Sequence, residues 1–181
     1  MKLRPKLVLI GVMVVALAIG GALITLGAIA RSRGVSRVAV PPGSLIERLS
    51  RNSDYADSYA ATVPAALFPD TRALDRFAFQ RSTAAGETRD EILYRGESSA
   101  LVYYISYMKG REGTQGKLSQ GTQGTLFVST TVHYKNWRGW LYFAFVRPGH
   151  RVLTPFMVSV MIRQAKAEAT RLELLRGGAT R

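Results

Sequence analysis

Thr125-Leu126-Phe127-Val128-Ser129-Thr130-Thr131-Val132-His133-Tyr134 is the stretch whose reading decides the fold. Leu126, Val128, Thr130, Val132 and Tyr134 fall on one side of an extended chain, and Phe127, Ser129, Thr131 and His133 on the other. One face is apolar and one partly polar, as in an antiparallel sheet covered on one side. Glu91-Ile92-Leu93-Tyr94 and Ala100 to Met108 carry the same aromatic and β-branched signal. Tyr55 to Val63 reads as an earlier strand, preceded by a short helical turn through Leu45, Ile46 and Leu49.

Beyond Tyr134 the period changes. Leu153, Phe156, Met157, Val160, Met161 and Ala165 recur at the three-and-four spacing of one helical face. This predicts a helix from Arg138 to about Arg176, bent at Pro148 and ended by Gly177-Gly178. Trp140 to Val146 is apolar all round, so two readings stand for 139–147: the start of that helix, or a strand ending at Pro148. The expected fold class is α+β, an antiparallel sheet packed on a long C-terminal helix. Two further expectations concern the connections. Asp70 N-caps a short helix through Ala73, Leu74 and Phe77. Gly113-Thr114-Gln115-Gly116 and Gly121-Thr122-Gln123-Gly124 form a flexible loop, lacking the lysine and the helix of a phosphate loop.

The front of the chain is of another kind. Residues 7–30 read LVLIGVMVVALAIGGALITLGAIA, without a charge. As a helix that is about 36 Å long, enough to cross a hydrocarbon core of roughly 30 Å. Lys2, Arg4 and Lys6 precede it and Arg31, Arg33 and Arg37 follow. The expectation is a retained transmembrane anchor over 1–30, a linker over 31–43 ending in Val40-Pro41-Pro42-Gly43, and a domain over 44–181. Cleavage after Ala30 is the competing reading, from the small-x-small form of Ala28-Ile29-Ala30, but the apolar run exceeds that of a signal peptide. Basic residues flank the span almost equally, so the positive-inside rule barely discriminates. Only six residues precede the span, which tilts the expectation to a single-pass cell-membrane protein with its domain outside the cytoplasm.

The 181 residues carry 25 Lys and Arg against 12 Asp and Glu, with no cysteine. Disulfides, thiolate metal sites and thiol nucleophiles are thereby excluded. No acid occurs between Glu112 and Glu168, while Lys117, Lys135, Arg138, Arg147, Arg151, Arg163 and Lys166 fall there. Such a face is drawn to anionic lipid headgroups or to nucleic acid, or merely keeps the protein soluble; no nucleic-acid motif accompanies it. Lys135, Trp137, Arg138, Trp140 and Arg147, with Tyr142, Phe143 and Phe145, have the composition of a membrane-interface contact. The same aromatics would equally fill a core. His133 and His150 are the only histidines, with no carboxylate between them. No catalytic set, metal site or cofactor motif emerges. Asp54 and Asp57, three apart on an extended chain, point to opposite faces, and turn formation and capping account for both.

Asp54-Tyr55-Ala56-Asp57-Ser58-Tyr59, Asp90-Glu91-Ile92-Leu93, the run 125–134, and Tyr142 followed by Arg147-Pro148-Gly149-His150-Arg151 and Pro155 occur in a familiar order. In this the chain resembles a bacterial family of domains of unknown function grouped with the START-like, polyketide-cyclase-like (SRPBCC) helix-grip domains. The resemblance covers about 53–164; the region between Pro64 and Arg89 is shorter than in the family, and the anchor is an addition. It implies a curved sheet gripping the C-terminal helix around an apolar cavity, and it implies no reaction. On that view Leu153, Phe156, Met157 and Met161 face the sheet. His150 then lines a pocket at the helix kink, or bonds a carbonyl that Pro148 leaves unpaired, and Arg151 meets a ligand carboxylate or snorkels to the surface. Three function classes follow: a tethered module for a small apolar or lipid-like ligand, a ligand-free structural or assembly protein held at a membrane complex by its basic, aromatic face, and, with least support, an enzyme.

Overall fold

The computed structural model describes residues 20–64, 67, 83–110 and 123–178, the backbone alone for 172–178. Helix α1 is described over 20–32. It is followed by β1 (Val35–Val38), α2 (Leu45–Ser50), β2 (Tyr55–Pro64), β3 (Thr83–Glu87), β4 (Glu91–Glu97), β5 (Leu101–Gly110), β6 (Gln123–Tyr134) and α3 (Trp137–Gly178). The six strands form one sheet in the order β1-β2-β6-β5-β4-β3, each neighbouring pair antiparallel. The chain is α+β, a six-stranded antiparallel sheet with a long C-terminal helix.

Strand β6 lies at the centre, and its alternation sorts the two faces. Leu126 and Val128 pair with Ala61 and Tyr59 of β2, and these four join Ile92, Tyr94 and Tyr107 under Val158, Met161, Ile162 and Ala165 of α3. On the opposite face Ser58, Ser129 and Ser106 stand in register across β2, β6 and β5, all but inaccessible to solvent. Small hydroxyls keep that face low, and Ile46 of α2 is fully buried there. The buried Glu91 receives Ser106 Oγ at 2.5 Å and the Leu45 backbone N–H of α2 at 2.6 Å. One carboxylate thus satisfies an unpaired N–H in the first turn of α2 and ties that helix to β4.

The start of α3 is set by its contact with the β4–β5 turn. Asn136 is the N-cap, its side-chain oxygen accepting the N–H groups of Arg138 at 3.0 Å and Gly139 at 3.2 Å. Its amide donates to Ser99 O at 3.1 Å, and the Lys135 N–H donates to Ala100 O at 2.9 Å. Asn136→Ala should lower stability by about 1 kcal/mol, the usual worth of a cap. Chemical denaturation checks this, and Asn136→Asp, which keeps the acceptor, should restore most of the loss.

Positions 139–147 are helix throughout, the first of the two readings. Other expectations are corrected. The stretch 31–43, expected as a linker, holds the end of α1 and strand β1, whose Val35 is buried in the core. Strand β3 was not foreseen. Among the described residues no helix is long and apolar enough to cross a membrane. Residues 7–19 of the expected span, the helix expected from Asp70 and most of the glycine-rich loop lie outside the described residues.

Candidate functional site

The N-terminal half of α3 has two unlike sides, and between them they hold most of the side chains that could act. The inner side meets a polar cluster on β2. Tyr55, Asp57 and Tyr59 alternate along that strand and so share the face under α3. The Asp57 side chain has no solvent exposure; its Oδ2 accepts the Tyr55 hydroxyl at 2.6 Å and lies 3.4 Å from His150 Nδ1. Tyr55 packs on Phe143 with ring centroids 4.8 Å apart and meets His150 edge-on at 5.7 Å. The Arg147 guanidinium stands over the Tyr55 ring, 5.3 Å from its centroid.

Asp54 and Asp57 therefore have separate roles. Asp54 Oδ2 accepts the Tyr134 N–H at 2.6 Å, closing the end of β6, as capping predicts. Asp57 is no turn residue but the buried centre of the cluster. The period-two run Tyr55, Asp57, Tyr59, Ala61, Val63 was the signal that could have placed it there.

Pro148 and Pro155 both lie inside α3 and both lack the helical N–H, and at Pro155 the carbonyl left open finds a partner on the sheet. A proline has no N–H, so Pro155 leaves Arg151 O without its helical donor. The Tyr59 hydroxyl of β2 donates to that oxygen at 3.2 Å. His150 spends its ring on Asp57 rather than on a free carbonyl. Tyr59 thus clasps the sheet to the helix at the point where the helix lacks a bond of its own.

Burial and the neighbouring Asp57 carboxylate push the Tyr55 hydroxyl up to about 12 and Tyr59 further still. Tyr134 is also raised, by burial and by Asp54. A raised tyrosine favours folding while it is neutral. Its contribution is complete below the ordinary value of 10 and fades as pH climbs from 10 toward 12. Alkaline titration should therefore show tyrosinate absorbance rising together with loss of near-ultraviolet circular dichroism in that window. Tyr55→Phe should make stability less steep across it.

His150 lies between Asp57 and Thr154, which resembles a nucleophile, base and acid in sequence. Thr154 Oγ1 is, however, 3.4 Å from Nδ1 and 3.3 Å from Nε2 of the same ring. Equal distances place the hydroxyl off the line of either nitrogen lone pair, so no proton is relayed from threonine to histidine. His133 sits on the other face of the sheet, edge-on to Tyr104. Among the described residues no three metal-ligating side chains group together. The inner cluster is a clasp.

The outer side of α3 is bare. Trp137 is 68% exposed, Trp140 59%, Tyr142 58% and Phe145 80%, with Leu141 at 40%. Only Phe143 of the aromatic group fills the core. Arg138 lies 5.7 Å from the centroid of the Trp137 ring and Arg147 is exposed on the same half of the helix. Lys135 differs from the other basic candidates, since it binds Glu97 and, at 2.9 Å, Ser98 O. Of the candidate pocket residues, Met161 is buried in the core, His150 and Phe156 are half-buried, and Arg151 is exposed. Leu153 and Met157 are exposed too, rather than turned to the sheet: eight residues of α3, 148–155, contain two prolines and Tyr59 fixes the helix on its other side.

Helix α1 packs on α3 lower down. Ala30 is buried, a Cβ at Gly27 would touch Val152 at 3.7 Å, and Arg33 Nη1 donates to Ser159 Oγ at 3.2 Å. The last turns of the apolar run are thus part of the domain's surface packing. No protein-family model matches the chain, and no curated protein and no solved structure matches it either.

Proposed function

We propose that this is a single-pass membrane protein in which residues 7–30 hold a ligand-free α+β module at the cell membrane. Its role is structural or assembly-directed, with its domain outside the cytoplasm and its basic, aromatic side turned to anionic lipid. The observation that carries this reading is the bare outer side of α3, where four exposed aromatic rings stand with Arg138 beside Trp137. A contiguous exposed aromatic patch of this kind marks an interaction surface. Arginine and tryptophan together suit the headgroup layer of a bilayer. The inner cluster offers no nucleophile in line with its base, so chemistry has no support.

A second reading, the helix-grip module for a small apolar ligand, is favoured by the antiparallel sheet under one long C-terminal helix. It ranks lower because Leu153 and Met157 face away from the sheet. Native mass spectrometry of the detergent-extracted full chain separates the two. The structural reading expects anionic phospholipid adducts that fall away as ammonium acetate concentration rises and charges are screened. A stoichiometric apolar molecule retained at every salt concentration would establish the pocket reading instead.

A further inference from the structure

Resting on the membrane reading above, we infer that the N-terminal half of α3 is a second bilayer contact. In it Trp137, Trp140, Leu141 and Phe145 seat among the lipid headgroups beside the anchor.

The direction of α1 is the first support. Gly27 of α1 lies against Val152, and the side chain of Arg33, one residue beyond α1, reaches Ser159, so six residues of this segment match seven along α3. The two helices run the same way. Upstream of Gly27 the chain therefore heads toward the N-terminal end of α3, where the bare aromatics are. A Cβ at Gly20, seven residues before Gly27 and on the same helical face, would meet nothing within 4 Å, so α1 makes no close contact there. The apolar residues 7–19 precede it in the chain.

The second support is the stripe itself. Positions 137, 141, 145, 148, 152, 155 and 159 follow the four-and-three spacing of one helical face. Where α1 touches this stripe, at Val152 and Ser159, protein covers it, and Ser159 is buried. Where α1 has left it, Trp137, Leu141 and Phe145 stand open across about 12 Å of helix. An anchor leading into a bilayer from this end brings that bilayer to the open half of the stripe. Tryptophan favours the headgroup level, where its ring is in apolar surroundings and its indole N–H stays hydrated. Arg138, beside Trp137, supplies charge that matches anionic headgroups.

Trp137 and Trp140 are the chain's only tryptophans, so their fluorescence reports this contact alone. The full chain is reconstituted into phosphatidylcholine and phosphatidylglycerol vesicles that carry bromine either near the headgroups or near the bilayer centre. Flotation of the same vesicles verifies that the chain is bound. The expected result is blue-shifted emission, quenched more by the shallow bromines than by the deep ones. The exposed-site variant Leu141→Asp with Phe145→Asp should float as before with quenching reduced at least about twofold. Bound chain whose tryptophans no brominated lipid quenches would overturn the inference and leave the anchor standing. Blue-shifted but unquenched emission would also overturn it, showing the stripe covered by a second copy or by residues 7–19. Failure to float would sink the membrane reading and this contact together.

Discussion

Gly139→Ala should destabilise the domain by about 3 kcal/mol, the upper part of the range for forcing extra volume into a packed site. A Cβ at this position would lie 2.2 Å from Ala100 O and 3.0 Å from Ala100 C. Both are backbone atoms of the β4–β5 turn, held by the Lys135 N–H and by the Asn136 cap, so neither can swing aside as a side chain would. The start of α3 must lift, which disturbs Phe143 and the Tyr55 ring it covers. For a domain of this size, a loss of that magnitude corresponds to a melting temperature lower by roughly 6–12 °C. Differential scanning calorimetry reads it directly. An alanine variant that melts with the parent chain would show that α3 does not approach the turn this closely.

Tyr59→Phe removes one oxygen and should cost about 2 kcal/mol. Tyr59 is 3% exposed, and its hydroxyl is the donor that fills Arg151 O. Without it a carbonyl beside Pro155 loses its partner, and an unsatisfied buried acceptor costs more than an ordinary hydrogen bond contributes. The mechanism is open to a double-mutant cycle. Pro155→Ala restores an N–H to the helix at the same carbonyl, so Tyr59→Phe should cost less than half as much in that background. Equal costs in the two backgrounds would detach Tyr59 from the proline and reduce its role to packing.

The sheet was legible where strands alternate cleanly. Thr125 to Tyr134 has five apolar or β-branched positions on one side, and β2, β4 and β5 share that period. The edges were not legible. Val35–Val38 carries an arginine in four residues, and Thr83–Glu87 is mostly alanine, glycine and threonine, with a register shift between Ala84 and Gly86. Neither segment has a face to detect. The long helix was readable from its spacing after Leu153, but Trp140 to Val146 is apolar on every side, and an all-apolar stretch has no phase. Contacts outside the stretch settle it: Gly139 against the Ala100 carbonyl and Phe143 against Tyr55 turn one side inward and leave Trp137, Trp140 and Phe145 outside.

The buried Asp57 shows a different limit. A carboxylate in a strand reads as a turn or cap because burying its charge is costly without partners. Its partners come from the next alternate residue and from a helix 93 positions later, His150, so local sequence holds only half of the reason. The pocket reading of Leu153, Phe156, Met157 and Met161 rests on helical spacing together with the helix-grip resemblance, and that of His150 and Arg151 on the helix kink. Spacing identifies a face but not what lies opposite it, and α1 and Tyr59 decided that.

On the proposed reading the apolar front of the chain stays attached and holds the domain at a bilayer. Membranes from cells expressing the full chain are washed with high salt and then with carbonate, and the intact mass is read on each fraction. The protein is expected to remain in the pellet after both washes with the mass of the whole chain, 19.9 kDa. Release into the supernatant, or a mature chain beginning at Arg31, would contradict it.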